Sequence, residues 1–283
     1  MTPIFTVRTL ADLRARIGVW RGENARIALV PTMGALHDGH LSLVRLARVK
    51  ATRVVASLFV NPAQFAPGED FHSYPRDEAR DGALLAVAGC DLLYAPAPGE
   101  MYPDGFATTV TVAAETTSLE GAVRPGHFAG VATVVAKLLI QAAPDLAVFG
   151  EKDYQQLHVI RRLTADLNLA VEIIGAPIVR DDDGLALSSR NAYLSAPERA
   201  IAPSLHHALV AAAAALRAGE DVAKVESAAR RSILAAGFQA VDYIEARSAE
   251  RLARLGPGPL TGEARILVAA RLGRTRLLDN LEV

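Results

Sequence analysis

The sequence has a single cysteine, one tryptophan and only four lysines among its 283 residues. One cysteine, Cys90, excludes an intrachain disulfide and any zinc site built from cysteines alone, and it favours a reducing, cytoplasmic location. The chain also has no excess of either charge, since 30 basic residues stand against 31 acidic ones. That balance disfavours a protein that binds nucleic acid through a broad basic surface.

Long apolar runs are missing as well, although 51% of the residues are apolar. No uninterrupted apolar stretch reaches the roughly 18 residues that a transmembrane helix needs. Charges also interrupt the first residues, where a signal peptide would be apolar. We therefore expect a soluble protein that is not exported, with enough residues for one large or two modest domains.

Short aliphatic runs alternate with longer helical patterns over the first two thirds of the chain. The strand-like runs are residues 26–30, 53–59, 92–94, 146–149 and 171–174. Alternating strands and helices imply crossover connections between parallel strands. The sequence therefore predicts an α/β fold, a Rossmann-like, doubly wound parallel sheet covered by helices on both faces.

The pattern changes after about residue 180. An alanine-rich helical pattern covers 196–218, a second one covers 222–236, and strand-like runs follow at 240–246 and 265–271. This order predicts a smaller C-terminal α+β domain. We place the Rossmann-like domain at 1–178 and the smaller domain at 179–283.

The strongest functional signal is the string PTMGALHDGH at residues 31–40, directly after a strand-like run and before a helical pattern. A strand that opens into a helix N-terminus presents unpaired backbone N–H groups and a positive dipole end, which suits a phosphate. His37 and His40 are three residues apart, so on a first helical turn both rings project the same way. Two imidazoles directed at one phosphate can stabilise the charge that develops during attack on it.

Other interpretations of the two histidines stay open at this point. A lone histidine is more often a surface or core residue than a catalytic one. A zinc site is a further alternative, although neither Glu nor Cys stands at a familiar ligand spacing beside the pair. The neighbouring Gly34 and Gly39, together with the strand-to-helix position, favour phosphate binding over both alternatives.

The HxGH element resembles the nucleotidyltransferase superfamily, which includes class I aminoacyl-tRNA synthetases, and the full string is similar to the pantothenate synthetase family. Further blocks occur in the order of that family: SLFVNPAQF at 57–65, YPR at 74–76, HFAGV at 127–131, FGEKDYQQL at 149–157 and DGLALSSRN at 183–191. The resemblance is dense from about residue 25 to 195 and weaker beyond.

This resemblance implies an enzyme that condenses (R)-pantoate with β-alanine at the expense of ATP, through a pantoyl-adenylate. The products would be pantothenate, a precursor of coenzyme A, with AMP and pyrophosphate. The substrates are small molecules, and neither nucleic acid nor a membrane is an expected partner, whereas a homodimer is expected. Residues 1–178 would bind nucleotide and pantoate, and 179–283 would form a lid.

The resemblance also implies site residues. His37, His40 and Lys152 would be catalytic. ATP would be bound by these three and by Pro31, Thr32, Met33, Gly34, Gly150, Glu151, Asp153, Val179, Leu187, Ser188, Ser189 and Arg190. Pantoate and β-alanine would be bound by Met33, Asn61, Gln64 and Gln156, with an apolar wall from Tyr74, Val134, Val135, Leu138 and Phe149.

Magnesium is expected as a cofactor, because ATP is handled as its Mg²⁺ complex and the ion offsets the charge of the triphosphate. The ion would be bound mainly through the ATP phosphates. Asp81 is a possible protein contact by similarity to an acidic position of the family. The charged stretch 77–81 is equally typical of a solvated helix face.

Several site residues have structural alternatives. The pair Asn61-Pro62 is typical of a turn, Lys152 could pair with a neighbouring carboxylate, and the run 188–190 could cap a helix. Two rival functions are another nucleotidyltransferase, such as a small synthetase relative, and a nucleotide-binding protein without catalysis. The missing anticodon-binding domain disfavours the first, and the presence of both histidines, Lys152 and the Ser-Ser-Arg run disfavours the second.

Overall fold

A computed structural model of the chain describes residues 4–113 and 116–283. Contacts between residues divide the chain into two compact units. The first unit extends to Pro177 but leaves out Lys152–Tyr154, and the second consists of Lys152–Tyr154 and Ile178–Val283. No helix within the described ranges is long and apolar enough to cross a membrane.

The first unit contains a six-stranded sheet in which every strand pair is parallel. Its strands are β1 (Thr6–Val7), β2 (Ile27–Thr32), β3 (Arg53–Leu58), β4 (Leu92–Tyr94), β5 (Leu146–Gly150) and β6 (Glu172–Ala176). They lie in the order β1-β4-β3-β2-β5-β6. The predicted doubly wound parallel sheet is thereby confirmed.

Helices cover both faces of this sheet. The helices in this part of the chain are α1 (Leu10–Gly22), α2 (Asp38–Lys50), α3 (Glu78–Ala88), α4 (Pro98–Met101), α5 (Glu120–Val123), α6 (His127–Ala142) and α7 (Tyr154–Asp166). Alternate residues of β2 enter different cores: Ile27 and Leu29 join a cluster with α1 and α6, and Ala28 and Val30 join one with α2 and α3. This alternation is the period-two geometry of a strand that is buried on both faces.

The strand order determines where a ligand can bind. Strand β2 lies between β3 and β5, so the chain leaves β2 toward one side of the sheet and later returns to its other side. Ligands of open α/β sheets bind beyond the carboxyl ends of the strands at such a switch point. The segments that follow β2 and β3 carry the PTMGALHDGH and VNPAQF motifs, which are therefore neighbours.

The second unit is α+β, as predicted. Its antiparallel sheet has the order β7 (Ala240–Ser248), β8 (Ala264–Leu272) and β9 (Thr275–Glu282). Three helices belong to it, α8 (Ala196–Ile201), α9 (Ser204–Arg217) and α10 (Val222–Ala235). Leu209, Ile233 and Ile266 are among the fully buried side chains of its core.

One local expectation is wrong, and one strand was not predicted. The predicted helix over 196–218 is broken between Ile201 and Ser204, because Pro203 has no N–H to continue the helical hydrogen bonds. The strand β9 was not predicted, although it pairs with β8 along its whole length. Most other predicted elements lie within three residues of the observed bounds.

Candidate active site

The PTMGALHDGH segment connects β2 to α2. His37 is the N-cap of α2, and its Nδ1 accepts the backbone N–H of Gly39 at 3.2 Å. The Nδ1 of His40 lies 3.4 Å from the backbone N–H of His37, and the two ring centroids are 4.1 Å apart. Both rings therefore lie together at the helix N-terminus, as the three-residue spacing predicts.

These contacts set the chemical form of the two histidines. A ring nitrogen that accepts an N–H carries no proton, so each neutral ring has its proton on Nε2. Each Nε2–H is a hydrogen-bond donor that belongs to a ring at the positive end of the α2 dipole. The arrangement is suited to an anion, and phosphate is one of the anions that helix N-termini bind.

Asp81 of α3 shapes the loop that leads to these histidines. Its side chain is fully buried, and its two oxygens accept the backbone N–H groups of Ala35 at 2.8 Å and Leu36 at 2.9 Å. Gly34 adopts a φ of +84°, and a β-carbon there would lie 2.9 Å from Asp81 Oδ2. Only glycine allows this close approach of the loop to the carboxylate.

The proposed magnesium contact of Asp81 is not supported by this geometry. A hard cation needs several accessible oxygen ligands, and the Asp81 oxygens are enclosed and already hydrogen-bonded to the loop. Among the residues that the structure describes, no group of three or more His, Cys, Asp or Glu side chains could hold a metal ion. Asp81 is a positioning residue for the loop.

The segment after β3 contains Asn61 and a short 3₁₀ turn, Pro62–Gln64. Asn61 Nδ2 donates to Gln64 Oε1 at 3.0 Å and to the carbonyl of Gly130 at 3.1 Å. Its Oδ1 accepts from Ala63 N at 3.3 Å and from the hydroxyl of Tyr102 at 2.7 Å. Burial raises the pKa of Tyr102 to about 12, so this hydroxyl keeps its proton at neutral pH.

The pantoate contact of Asn61 stays a prediction, and the structure shows what else this side chain binds. A carboxamide has two donor hydrogens and two acceptor lone pairs, and protein groups occupy all four at Asn61. With 1% of its surface exposed, Asn61 is held among these protein groups and contacts Gln64 directly. The turn expected for Asn61-Pro62 is present, and it carries Gln64.

Gln64 and Met33, both predicted to bind pantoate, are in contact. Gln64 Nε2 lies 2.9 Å from Met33 Sδ, and both residues are partly exposed. The turn that carries Gln64 packs closely on α6, since a β-carbon at Gly130 would lie 2.1 Å from the carbonyl oxygen of Ala63. The HFAGV block thus contributes a glycine without which the Gln64 turn could not reach its position.

A second set of contacts fixes the same turn, and sequence reasoning missed it. Arg124 donates through Nε and Nη2 to both oxygens of Glu69 at 2.7 and 2.6 Å, and its Nη1 is 3.2 Å from His127 Nε2. His127 Nδ1 lies 2.9 Å from the carbonyl oxygen of Gln64. The only sequence signal for Arg124 is its place three residues before the HFAGV block.

The protonation states in this set follow from burial and charge. Burial, together with the positive charge of Arg124, lowers the pKa of His127. A neutral His127 can donate from Nδ1 to the Gln64 carbonyl while Nε2 accepts from Arg124. Burial alone would raise the pKa of Glu69, but its hydrogen bonds to Arg124 and the charge of that residue hold the pKa below the usual value.

The other predicted residues of the first unit lie on the sheet or near its carboxyl end. Thr32 is buried and donates to the carbonyl of Ser57 at 2.8 Å, which joins the ends of β2 and β3. Gln156 on α7 is partly exposed, whereas the adjacent Gln155 is buried and binds the backbone of Glu120. Apolar wall candidates are buried, namely Tyr74, Val134, Val135, Leu138 and Phe149.

The second unit holds the remaining phosphate-binding candidates. Val179 and Leu187 are joined by a backbone hydrogen bond of 3.0 Å, which closes a hairpin whose tip is the Asp-rich turn at 181–184. Arg199 pairs with Asp181 at 2.9 Å and Asp183 at 2.5 Å in that turn. Ser188 then caps a 3₁₀ turn, Ser189–Tyr193, by accepting from Arg190 N at 3.3 Å.

Lys152 lies in the same unit and lines a small cavity with Ser188. Its Nζ is 4.0 Å from Asp153 Oδ1, at the limit of an ion pair, and 20% of its side chain is exposed. Other residues at the cavity include Asn191, His206 and Asp279. The structure thus brings Lys152 and the first residue of the Ser-Ser-Arg run together.

Sequence comparison gives an independent result. The sequence profile of a family described as pantoate-beta-alanine ligase matches residues 5–282. A pantothenate synthetase of Caulobacter vibrioides is 60% identical over 100% of both chains. One from Paramagnetospirillum magneticum is 58% identical over 100% of this chain and 99% of its own.

Solved structures agree with these relatives. The crystal structure of pantothenate synthetase from Thermus thermophilus matches with a TM-score of 0.93 and 51% identity over 99% of each chain. That of pantoate-beta-alanine ligase from Francisella tularensis, complexed with beta-gamma ATP and beta-alanine, matches with a TM-score of 0.82. It is 32% identical over 99% of this chain and 97% of that chain.

Proposed function

Because the chain belongs to the pantoate-beta-alanine ligase family, we propose that it condenses pantoate with β-alanine at the expense of ATP. The observation that carries the proposal lies in one loop. That loop holds the histidine pair suited to a phosphate and, four residues before His37, the Met33 that contacts Gln64. This loop thereby brings a histidine pair suited to a phosphate and a polar amide suited to an organic acid into one site.

We propose two half-reactions. A carboxylate oxygen of pantoate attacks the α-phosphorus of ATP, the bond from that phosphorus to the bridging oxygen breaks, and pyrophosphate leaves. The β-alanine amine then attacks the acyl carbon of the mixed anhydride, AMP leaves, and the amine loses a proton as the amide forms. Positioning and charge stabilisation account for most of the acceleration, because no covalent intermediate with the protein is needed.

The residues of the first unit have distinct roles in this proposal. His37 and His40 donate from Nε2 to phosphate oxygens as their charge increases during attack. Gln64 and Gln156 bind the carboxylate and hydroxyl groups of pantoate through amide donors and acceptors. Pro31, Thr32, Gly34, Gly150 and Glu151 supply the backbone that lies against the nucleotide, as the family resemblance implies.

The residues of the second unit bind phosphate groups. Lys152 has a compact ammonium group on a flexible stem, which can stay with the transferring phosphate through the reaction. Ser188, Ser189 and Arg190 bind the leaving pyrophosphate through two hydroxyls and a guanidinium fork. Asp153, Val179 and Leu187 contribute to the nucleoside end, again by resemblance.

Magnesium enters this proposal with ATP. The described side chains include no cluster that would hold the ion by itself, and Asp81 is committed to the loop before His37. When bound, the ion supplies charge that offsets the triphosphate. The Ser188–Arg190 run and Lys152 supply the charge and hydrogen bonds that the protein itself contributes.

Isotope exchange tests the order of these steps. Protein, Mg²⁺, ATP and pantoate should exchange labelled pyrophosphate into ATP in the absence of β-alanine. Exchange without pantoate would indicate a different acid substrate, and exchange only after β-alanine is added would refute the adenylate intermediate. Absence of exchange and of AMP formation with all three substrates present would refute the proposed function.

We also propose a homodimer located in the cytoplasm. Both follow from the family resemblance, and the single buried cysteine suits a reducing compartment. Sedimentation equilibrium of the purified protein measures the first directly. A monomer mass over the full concentration range would refute the dimer.

A further inference from the structure

Asp279 and Asn280 are adjacent polar residues in the interior of the second unit. They lie on β9, where 4% of the surface of Asp279 and 1% of that of Asn280 is exposed. Burying a carboxylate or an amide is unfavourable unless each polar atom finds a partner. The partners of these two residues are therefore informative about their purpose.

Asn280 binds the segment that contains Lys152. Its Nδ2 donates to the backbone carbonyl of Lys152 at 2.9 Å, and its Oδ1 accepts from Arg265 Nη1 at 2.6 Å. The Arg265 guanidinium lies 4.0 Å from the ring centroid of Tyr154, a cation–π contact, and the Tyr154 hydroxyl donates to the carbonyl of Ala249 at 3.0 Å. Residues 152–154 are thus held at two positions by one connected set of groups.

Asp279 binds the hairpin that leads to Ser188. Its two oxygens accept from Arg180 Nη1 and Nη2 at 2.6 and 2.9 Å, and Arg180 Nη1 also donates to the carbonyl of Gly184 at 3.0 Å. His206 Nδ1 faces the same carboxylate at 3.7 Å. Burial alone would raise the pKa of Asp279, but His206 and Arg180 hold it below its usual value, so the carboxylate is charged at neutral pH.

The two sets of contacts meet at one place. Asp279 also accepts the backbone N–H of Asn280 at 2.7 Å, and it lines the cavity that Lys152 and Ser188 share. We propose that Asp279 and Asn280 are positioning residues that fix Lys152 at a set distance from the Ser188–Arg190 run. This inference rests on the proposed phosphate-binding roles of those residues, but the anchoring itself can be measured without activity.

Asn280→Asp tests the Lys152 side of the proposal. The variant keeps the size of the side chain and an acceptor for Arg265, but it places an oxygen against the Lys152 carbonyl. We expect kcat to fall by roughly 10- to 100-fold with a much smaller change in ATP affinity, since one buried hydrogen bond is replaced by a repulsive contact. The matched control is Asp242→Asn, which breaks an ion pair with Arg276 of 2.6 Å on the same sheet.

Hydrogen exchange gives a readout that does not depend on turnover. Peptides that cover 150–157 should exchange faster in Asn280→Asp than in the wild type and in Asp242→Asn, while peptides from 78–88 on α3 should be unchanged in both variants. Equal exchange at 150–157 in the two variants, or an unchanged kcat in Asn280→Asp, would overturn the proposal.

Asp279→Asn tests the other side and covers the case in which Asn280→Asp does not fold. It keeps the shape of the side chain but removes the charge that binds Arg180, so the hairpin before Ser188 should loosen. We expect a rise in KM for ATP of about tenfold and faster exchange over 179–188. An unchanged KM for ATP together with unchanged hydrogen exchange over 179–188 would overturn the proposal. A wild type that forms no AMP from ATP, pantoate and β-alanine and exchanges no pyrophosphate would refute the proposed function, while the comparison of hydrogen exchange would still test the anchoring.

Discussion

Arg124 and Glu69 form a bidentate ion pair, with nitrogen–oxygen distances of 2.7 and 2.6 Å. The pair is mostly buried, with side-chain exposures of 17% and 24%. Arg124 also lies 3.4 Å from the carbonyl oxygen of Gln64 and binds His127, which contacts that same oxygen. The orientation of the Gln64 backbone is therefore set by His127 of the HFAGV block together with Arg124 and Glu69, which no motif contains.

We expect Arg124→Lys to raise KM for pantoate by about tenfold while the ATP dissociation constant changes little, because lysine cannot form the two parallel bonds. Steady-state kinetics in pantoate and calorimetric titration with ATP measure the two effects. Gln64→Ala should likewise raise KM for pantoate and leave the ATP dissociation constant nearly unchanged. The control is Arg162→Lys, since the ion pair of Arg162 with Asp166 is exposed. Equal losses for both substrates would mean that Arg124→Lys disrupts the fold generally.

Asp81→Asn should weaken nucleotide binding and lower the free energy of unfolding by about 1–3 kcal/mol. The asparagine side chain has one oxygen that can accept a hydrogen bond and one NH₂ group that cannot. One of the two N–H groups of the loop therefore loses its partner. Denaturant unfolding and ATP titration test this. Asp77→Ala is the control, because Asp77 caps the same helix through Arg80 N without binding the loop. Loss of ATP binding in both variants would contradict the role assigned to Asp81.

Lys152→Met should lower kcat by on the order of 10²-fold, about 3 kcal/mol, and leave the unfolding midpoint nearly unchanged. Methionine keeps much of the apolar stem and removes the charge. Lys50→Met removes an exposed lysine at the end of α2 and should have wild-type kinetics. Normal turnover in Lys152→Met would assign Lys152 to a simple surface pair with Asp153.

Alkaline pH should destabilise the protein through Cys90. Burial raises the pKa of this thiol to about 12 from an ordinary value of 9.0, while its Sγ lies near the carbonyls of Val54 and Leu92. The unfolded thiol ionises above pH 9 and the folded one does not, so stability that is complete below pH 9 is lost as pH rises. Between pH 8 and 10 the wild type should lose about 1 kcal/mol more than Cys90→Ala. If the free energy of unfolding in urea changed equally with pH in the wild type and in Cys90→Ala, this prediction would be refuted.

Much of the parallel sheet could be predicted from sequence because strands buried on both faces are continuous apolar runs. The run 92–94 coincides with β4, and 53–59 exceeds β3 by one residue. Strand β9 was missed because Asp279 and Asn280 interrupt its apolar pattern, and their partners Arg180 and Lys152 are 99 and 128 residues away. The two-residue turn at Gly273-Arg274, a hairpin signal, was the available clue.

The candidate site likewise has features that local sequence spacing predicts and features that it does not. The juxtaposition of His37 and His40 follows from local spacing on a helix, which a sequence displays directly. The contacts of Asn61 and Asp81 do not follow from local spacing. Each side chain binds backbone groups of a distant segment, and backbone groups have no sequence signature. Both residues were predicted to contact ligands, and the structure shows that each of them binds a loop that carries other predicted site residues, His37 for Asp81 and Gln64 for Asn61.

Position 130 limits the changes that this protein can accept. Any β-carbon at Gly130 would lie 2.1 Å from the carbonyl oxygen of Ala63 and 2.7 Å from the α-carbon of Gln64, so even alanine would displace the turn. Gly99 is the opposite case, because a β-carbon there would meet nothing within 4 Å. If both codons were randomised and active clones selected, position 99 would return many amino acids and position 130 would return glycine alone.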